Sequence, residues 1–141
     1  METNNTTTWN GVHNAHAKDN AAKIVFGDPV LCAQFLKGYT DIPLFKEIKP
    51  EDIENVSSHF LPLFQESRDS DTVNKIRIGD FEIYLIALIE HQSENDFDMS
   101  FRILRYIVFI WTDYAAQQEK LHKGTTKSKD FLYPPILPIV Y

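Results

Sequence analysis

Residues 70–93 of the chain read SDTVNKIRIGDFEIYLIALIEHQS. Two runs rich in β-branched and apolar residues flank the dipeptide Gly79-Asp80. Glycine in the first of two turn positions favours a tight β-hairpin, because that position needs a positive φ. With this turn, Ile78 pairs with Phe81 and the register runs outward from there. The stretch therefore predicts two antiparallel strands at the centre of the fold.

Acidic side chains stand at the open end of this hairpin. The register sets Asp71 across from Leu88. Because side chains alternate between faces, Asp71, Glu90 and Gln92 share one side, with the Cβ atoms of Asp71 and Glu90 roughly 7 Å apart. Two such carboxylates can share a divalent ion, and oxygen ligands favour Mg²⁺ or Mn²⁺ over Zn²⁺. Asp69 lies on the same face, so the register does not decide which aspartate binds.

The end of the second strand has two interpretations. The run 83–89 is almost wholly apolar, which predicts a strand covered on both faces. An ionised Glu90 at its end is costly unless it is paired or bound to metal. Alternatively, Glu90 marks the point where the strand reaches water, and Asp69 and Asp71 are ordinary loop acids. Spacing alone leaves both interpretations open.

Three strings of sequence point to a known family. They are IEHQSENDFDMSFRILRY at 89–106, IWTDY at 110–114 and YPPILPIVY at 133–141. Together they resemble the Rpn recombination-promoting nucleases, bacterial proteins also called YhgA-like transposases, in the PD-(D/E)XK nuclease superfamily. The resemblance runs from about residue 19 to the end. It implies an α/β restriction-endonuclease-like core, with a mixed central sheet flanked by helices, and a magnesium-dependent DNA endonuclease that hydrolyses phosphodiester bonds.

The resemblance also implies roles for the matching residues. Asp71 and Glu90 would hold Mg²⁺ or Mn²⁺, helped by the main-chain carbonyl of His91. Gln92 stands where many superfamily members have lysine, so its amide would position water and phosphate without supplying charge. The superfamily acid on the first helix is best matched by Asp19; for this residue we favour the role of a helix N-cap, which does not exclude metal binding.

A second function stays open at this point. The family pattern continues past the proline-rich final strand, whereas this chain stops at Tyr141, so we expect a core shortened at its C-terminus. Such a chain could be a catalytically weak or inactive nuclease-fold module that binds DNA or a full-length relative. Its final strand would then expose an edge, which favours a homodimer.

Charge is unevenly distributed along the chain. The formal net charge is −6, yet residues 99–141 carry six Lys or Arg against three Asp or Glu. The candidate DNA-binding residues all fall there, namely Arg102, Arg105, Lys120 and Lys123, with Lys127 and Lys129 close by. For the arginines the alternative is pairing with hairpin carboxylates, which we favour for Arg105. For the lysines the alternative is a solvated helix end.

Composition predicts one domain in the cytoplasm. A chain of 141 residues with 43% hydrophobic content supports one core, and we expect a disordered tail at 1–17 and a nuclease-like domain at 18–141. The start of the chain has no apolar leader, and no apolar run is long enough for a membrane span. The single cysteine, Cys32, has the apolar neighbours of a buried residue.

The expected elements follow from caps and periodicity. Helices are predicted from about Asp19 to Gly27, from Pro29 after an Asp28 cap to about Lys37, and from a start within 93–96 to about His122, with Gly124 as the stop. A turn is predicted at 48–53 and a last strand at 136–141. Because 103–111 is apolar nearly all round, the long helix is expected to be central and packed on the sheet.

Overall fold

The computed structural model describes residues 17, 20–60, 71–89 and 98–141. Of the tail predicted at 1–17, residues 1–16 lie outside the described part of the chain. So does the polar start predicted for the long helix at 93–96. The domain boundary at residue 18 stays a prediction.

A four-stranded mixed sheet forms the centre of the structure. Its strands are β1 (Ile53–Asn55), β2 (Thr72–Ile78), β3 (Phe81–Leu88) and β4 (Ile136–Val140), in the order β1-β2-β3-β4. The first three pair antiparallel, and β4 is parallel to β3. The expected α/β fold with a mixed sheet is confirmed. β1 was not predicted, because three residues with one buried side chain give no alternation to detect.

The hairpin has the predicted register. Ile78 pairs with Phe81, and Thr72 pairs with Ala87 at the far end of the ladder. Gly79 has a φ of 61°, which a turn with glycine in its first central position requires. A side chain at that position would be strained, so the glycine fixes the register of both strands.

Helices cover both faces of the sheet. A first helix, α1, includes residues 20–27, and α2 (Pro29–Tyr39) follows it on the same face. On the other face lie α3 (Ser57–Phe60) and α4 (Met99–Leu121). Alternate residues of β3 enter the two cores: Ile83, Leu85 and Ala87 on the α1–α2 side, and Tyr84, Ile86 and Leu88 on the α4 side. The predicted two-sided burial of this strand is confirmed.

The predicted helix boundaries are largely confirmed. Asp28 caps α2 by accepting a hydrogen bond from the Val30 amide at 2.8 Å, and Pro29 occupies the first helical position. The helix continues to Tyr39, two residues beyond the predicted end at Lys37. A single 3₁₀ turn at Pro50–Asp52 matches the turn predicted at 48–53.

The long helix α4 is not buried all round, which corrects the expectation of a central helix. Only Arg102, Tyr106 and Ile110 are buried, since a single face of the helix meets the sheet. Phe101 and Val108, on the opposite side, are 55% and 53% exposed. The helix thus has two apolar surfaces, of which one packs on the sheet and the other is exposed. The helix ends at Leu121 and Gly124 has a φ of 87°, close to the predicted end at His122 and stop at Gly124.

The C-terminal strand returns parallel to β3 after α4, at one edge of the sheet. The Tyr84 amide donates to the Pro135 carbonyl at 3.0 Å, and the Tyr141 amide donates to the Leu88 carbonyl at 3.1 Å. Because alternate residues bond to the neighbouring strand, Pro138 turns its backbone to the outer edge. Proline lacks an N–H group, so this edge is blunted against further pairing. The expectation of a homodimer through an exposed edge is therefore not supported.

Candidate functional site

Asp71 lies at the open end of the hairpin, directly before β2. Its neighbour Thr72 pairs with Ala87, so Asp71 is across from Leu88, as the turn predicted. Its side chain faces α4, on the same side of the sheet as Leu88. Only 1% of the residue is exposed, which is unusual for an ionisable group.

Two side chains from α4 bind the Asp71 carboxylate. An Nη2 group of Arg102 donates to Oδ1 at 2.9 Å, and the Tyr106 hydroxyl donates to Oδ2 at 3.1 Å. Arg102 and Tyr106 are four residues apart, so they lie one turn apart on the same face of the helix. The charge of the guanidinium offsets that of the carboxylate, which makes burial of both tolerable.

Tyr106 is a neutral donor in this cluster. Burial raises the pKa of its hydroxyl, and the negative charge of Asp71 and the hydrogen bond to Asp71 raise it further. The hydroxyl therefore keeps its proton and donates a hydrogen bond to the carboxylate at physiological pH. Sequence reasoning did not single out Tyr106. The available signal was its position four residues after Arg102 in a predicted helix, which sets both side chains on one face.

The two arginines of α4 have different surroundings. Arg102 faces the interior, and its side chain is only 6% exposed. Of the two roles considered for it, contact with phosphate and pairing with a hairpin carboxylate, the structure has the carboxylate pairing. As placed, it offers little surface to a DNA phosphate. Arg105 lies with its Cζ 5.2 Å from the centroid of the Phe101 ring, and its Nη2 is 3.9 Å from Asp98 Oδ2. Arg105 is thus the arginine nearer to solvent.

The predicted lysines are at the opposite end of α4. Lys120 follows Arg102 by 18 residues, which corresponds to about 27 Å along the helix axis. Lys120 and Lys123 are exposed. The turn after the helix is held by Glu119, which accepts a hydrogen bond from the Thr126 hydroxyl at 2.8 Å. Hydrogen bonds from the Gly124 amide and Thr126 lower the pKa of Glu119. The structure does not bring these lysines to Asp71.

The remaining predicted site residues lie outside the described residues. They are Asp19, Asp69, Glu90, His91 and Gln92. Within the part of the chain that is described, no three His, Cys, Asp or Glu residues cluster in a way that could hold a metal ion. Asp71 is the one predicted metal ligand whose side chain is placed.

The opposite face of β2 carries a second buried polar residue, Asn74, which the sequence did not indicate. Its Nδ2 donates to the Phe26 carbonyl at 2.7 Å, near the end of α1. Cys32 lies beside it, fully buried as predicted, and burial raises the pKa of its thiol from the ordinary 9.0 to about 11. A neutral thiol and an amide that ties a helix to the sheet indicate a structural role.

Comparisons with known proteins give one match. Residues 16–141 match the family described as "Putative transposase, YhgA-like". Searches of curated proteins and of solved structures found no match. Among the described residues no helix is long and apolar enough to cross a membrane. Since the match spans nearly the whole chain and includes the hairpin, α4 and β4, this chain belongs to the YhgA-like transposase family.

Proposed function

We propose that the protein is a metal-dependent DNA endonuclease of the recombination-promoting type, with Asp71, Glu90 and Gln92 as its working residues. Membership of a transposase family supports action on DNA. The observation that carries the proposal is the placement of Asp71, which is buried at the open end of the hairpin, across from Leu88. Leu88 precedes Glu90 by two residues in the sequence. The mixed sheet with helices on both faces agrees with the PD-(D/E)XK core implied by the sequence.

The donor chemistry of Asp71 fits a hard cation. An ionised carboxylate is an oxygen ligand of the kind that Mg²⁺ and Mn²⁺ prefer, and Arg102 and Tyr106 each bond to one of its oxygens. Arg102 nevertheless repels a cation, because its charge offsets that of Asp71. Metal binding therefore depends on a second acid, and Glu90 is the residue that we assign to this role. His91 would add a main-chain carbonyl, and Asp19 or Asp69 a further carboxylate.

Each residue of the proposed site would then have a defined role. Arg102 and Tyr106 hold the Asp71 carboxylate in one orientation, since each fixes one of its oxygens. Mg²⁺ or Mn²⁺ bound there would polarise the scissile phosphate and lower the pKa of an attacking water. Gln92, a neutral amide, would orient that water and a phosphate oxygen by hydrogen bonds.

Contact with the DNA backbone is assigned to the basic C-terminal part of the chain. Arg105 lies on α4 one turn from Arg102, near the proposed site. Lys120 lies 15 residues further along the helix than Arg105, which corresponds to about 22 Å, and Lys123 follows just after the helix end. Phosphates on one strand of B-DNA are spaced about 3.4 Å apart along the duplex axis, so the two groups would contact different parts of one duplex.

One observation favours the alternative function, a catalytically weak or inactive module that binds DNA or a full-length relative. Both carboxylate oxygens of Asp71 are engaged by side chains of α4, so the residue stabilises the fold without any metal. A chain that keeps this network and lacks metal-dependent cleavage would be such a module.

Cleavage of supercoiled plasmid DNA separates the two functions. Purified protein with Mg²⁺ or Mn²⁺ should nick the plasmid, and chelation of the metal should abolish nicking. Glu90→Gln should lose activity while circular dichroism shows an intact fold, and Asp71→Asn should lose activity at a temperature well below its own, lowered melting temperature. Asparagine is chosen because it keeps the shape of the side chain that Arg102 contacts. Glu82→Gln, at the far end of the hairpin, is the matched control and should cleave like the wild type.

The outcomes are distinct. Nicking that survives Glu90→Gln contradicts the assignment of the site. Folded wild-type protein that binds DNA but never nicks it contradicts the endonuclease and supports the binding module.

A further inference from the structure

The outer face of α4 carries a stripe of exposed apolar side chains. We call Phe101, Leu104, Val108 and Trp111 the outer stripe; they are 55%, 51%, 53% and 37% exposed. Spacings of three, four and three residues keep them on one side of the helix, opposite the side that meets the sheet. Several large apolar residues exposed side by side are uncommon on a monomer and mark an interaction surface.

The stripe is also poor in charge. From residue 103 to 112 the only charged side chain is Arg105, and its guanidinium lies 5.2 Å from the centre of the Phe101 ring. A nucleic-acid surface would need rows of cations here, which this face does not have. Depletion of charge around aromatic residues is typical of the core of a protein interface.

The spacing of the stripe is compatible with a second copy of the chain as its partner. The pattern of three, four and three residues is the same when read in either direction, with its midpoint at position 106. Two such helices that run antiparallel about a two-fold axis bring Leu104 against Val108 of the other copy, and Phe101 against Trp111. Each pair then occurs twice, which is the condition for a self-complementary interface. We propose that a second copy of this chain docks on the outer stripe through antiparallel α4 helices.

The area of the surface sets the expected strength. From their exposed fractions, the four side chains of the stripe offer roughly 400 Å² of apolar surface per copy. The patch continues through Tyr133, whose ring centroid is 5.1 Å from that of Trp111, to Leu132, which is 79% exposed. With these residues, the two copies together reach about 1,000 Å², the lower limit for a specific interface. We therefore expect a reversible dimer with a dissociation constant in the micromolar range.

Sedimentation velocity over a range of protein concentrations tests the dimer. The wild type should shift from monomer to dimer, and Leu104→Glu or Val108→Glu should weaken the association by about tenfold or more. Both residues are exposed, so the fold should survive, and the melting temperature checks this. Leu121→Glu is the matched control, because Leu121 is 69% exposed on a different side of the same helix. It should dimerise like the wild type.

Disulfide cross-linking tests the antiparallel arrangement. Protein with Leu104→Cys is mixed with protein with Val108→Cys, under mild oxidation and at dimerising concentrations. The native Cys32 is fully buried and should not interfere. Cross-links between the two variants should form faster than links of either variant with itself.

Three results would overturn the proposal. They are a wild type that stays monomeric at high micromolar concentration, a dimer that Leu104→Glu and Val108→Glu leave unchanged, and preferential linking of each variant with itself, which indicates a parallel or different interface.

Discussion

The two ends of the hairpin each carry an acid paired with basic side chains, in opposite environments. At the open end, Asp71 and Arg102 pair at 2.9 Å with side chains no more than 6% exposed. At the turn end, Glu82 lies 3.1 Å from Arg77 and 3.5 Å from Lys75, and the Arg77 side chain is 64% exposed. Water screens the second cluster and cannot reach the first. The same chemistry therefore matters far more to the fold at the open end than at the turn.

Removal of the buried acid should have the largest effect. Asp71→Ala removes the carboxylate that offsets the charge of the buried Arg102 guanidinium. We therefore expect the free energy of unfolding to fall by about 3–5 kcal/mol. Urea denaturation followed by circular dichroism measures this. The double variant Asp71→Ala/Arg102→Leu should recover part of the loss, because it also removes the buried charge that Asp71 no longer offsets. A double variant less stable than the single one would show that the pair is not what stabilises this end.

Tyr106→Phe should have a smaller effect at the same end. It removes one hydrogen bond to a charged acceptor but leaves the ring in the core, and we expect a loss of about 2 kcal/mol. Denaturation midpoints at neutral pH measure it. In the Asp71→Ala background the same substitution should cost less, since its acceptor is gone. Equal costs in both backgrounds would mean that the hydroxyl stabilises the fold through another partner.

Cys32, on α2 beside Asn74 of β2, tests burial without charge between the two ends. Burial raises the pKa of its thiol from 9.0 to about 11, so the folded state holds the proton more tightly than the unfolded state. This contribution is complete below pH 9 and is lost as the pH rises towards 11. Stability measured over this range should fall, and the fall should be shallower in Cys32→Ala. An identical pH profile in both proteins would exclude the thiol as its source.

The partly exposed acid at the turn should matter least. Glu82→Gln should change the free energy of unfolding by about 0.5 kcal/mol or less, because ion pairs that water reaches contribute little. Added salt should erase even that difference, while it should leave the effect of Asp71→Ala nearly unchanged. Chemical denaturation at low and high salt measures both. A large effect of Glu82→Gln would remove the contrast between the two ends.

The hairpin itself was predictable from the sequence because local rules decide it. Gly79 in the first turn position fixed the pairing of Ile78 with Phe81, and alternation then fixed which side chains share a face with Asp71. The cap at Asp28 and the stop at Gly124 were equally local signals.

Other features depended on tertiary packing and could not be predicted. No local signal indicates which side of an apolar helix meets a sheet, so α4 was expected to be central and its outer stripe was missed. The contact of Arg102 with Asp71 joins residues 31 apart, and the sequence left it as one of two alternatives. Tyr106 was missed for the same reason, although the helical spacing from Arg102 was visible.

Calorimetric titration with Mn²⁺ tests the central claim most directly, because it reports on the metal site without requiring cleavage. Arg102 offsets the charge of Asp71, so the proposed metal site needs a second acid, the role that we assign to Glu90. We expect the wild type to bind Mn²⁺ and Glu90→Gln to lose measurable binding, while Glu82→Gln binds like the wild type. A wild type that binds no ion, or binding that Glu90→Gln leaves unchanged, would contradict the metal site at the open end of the hairpin.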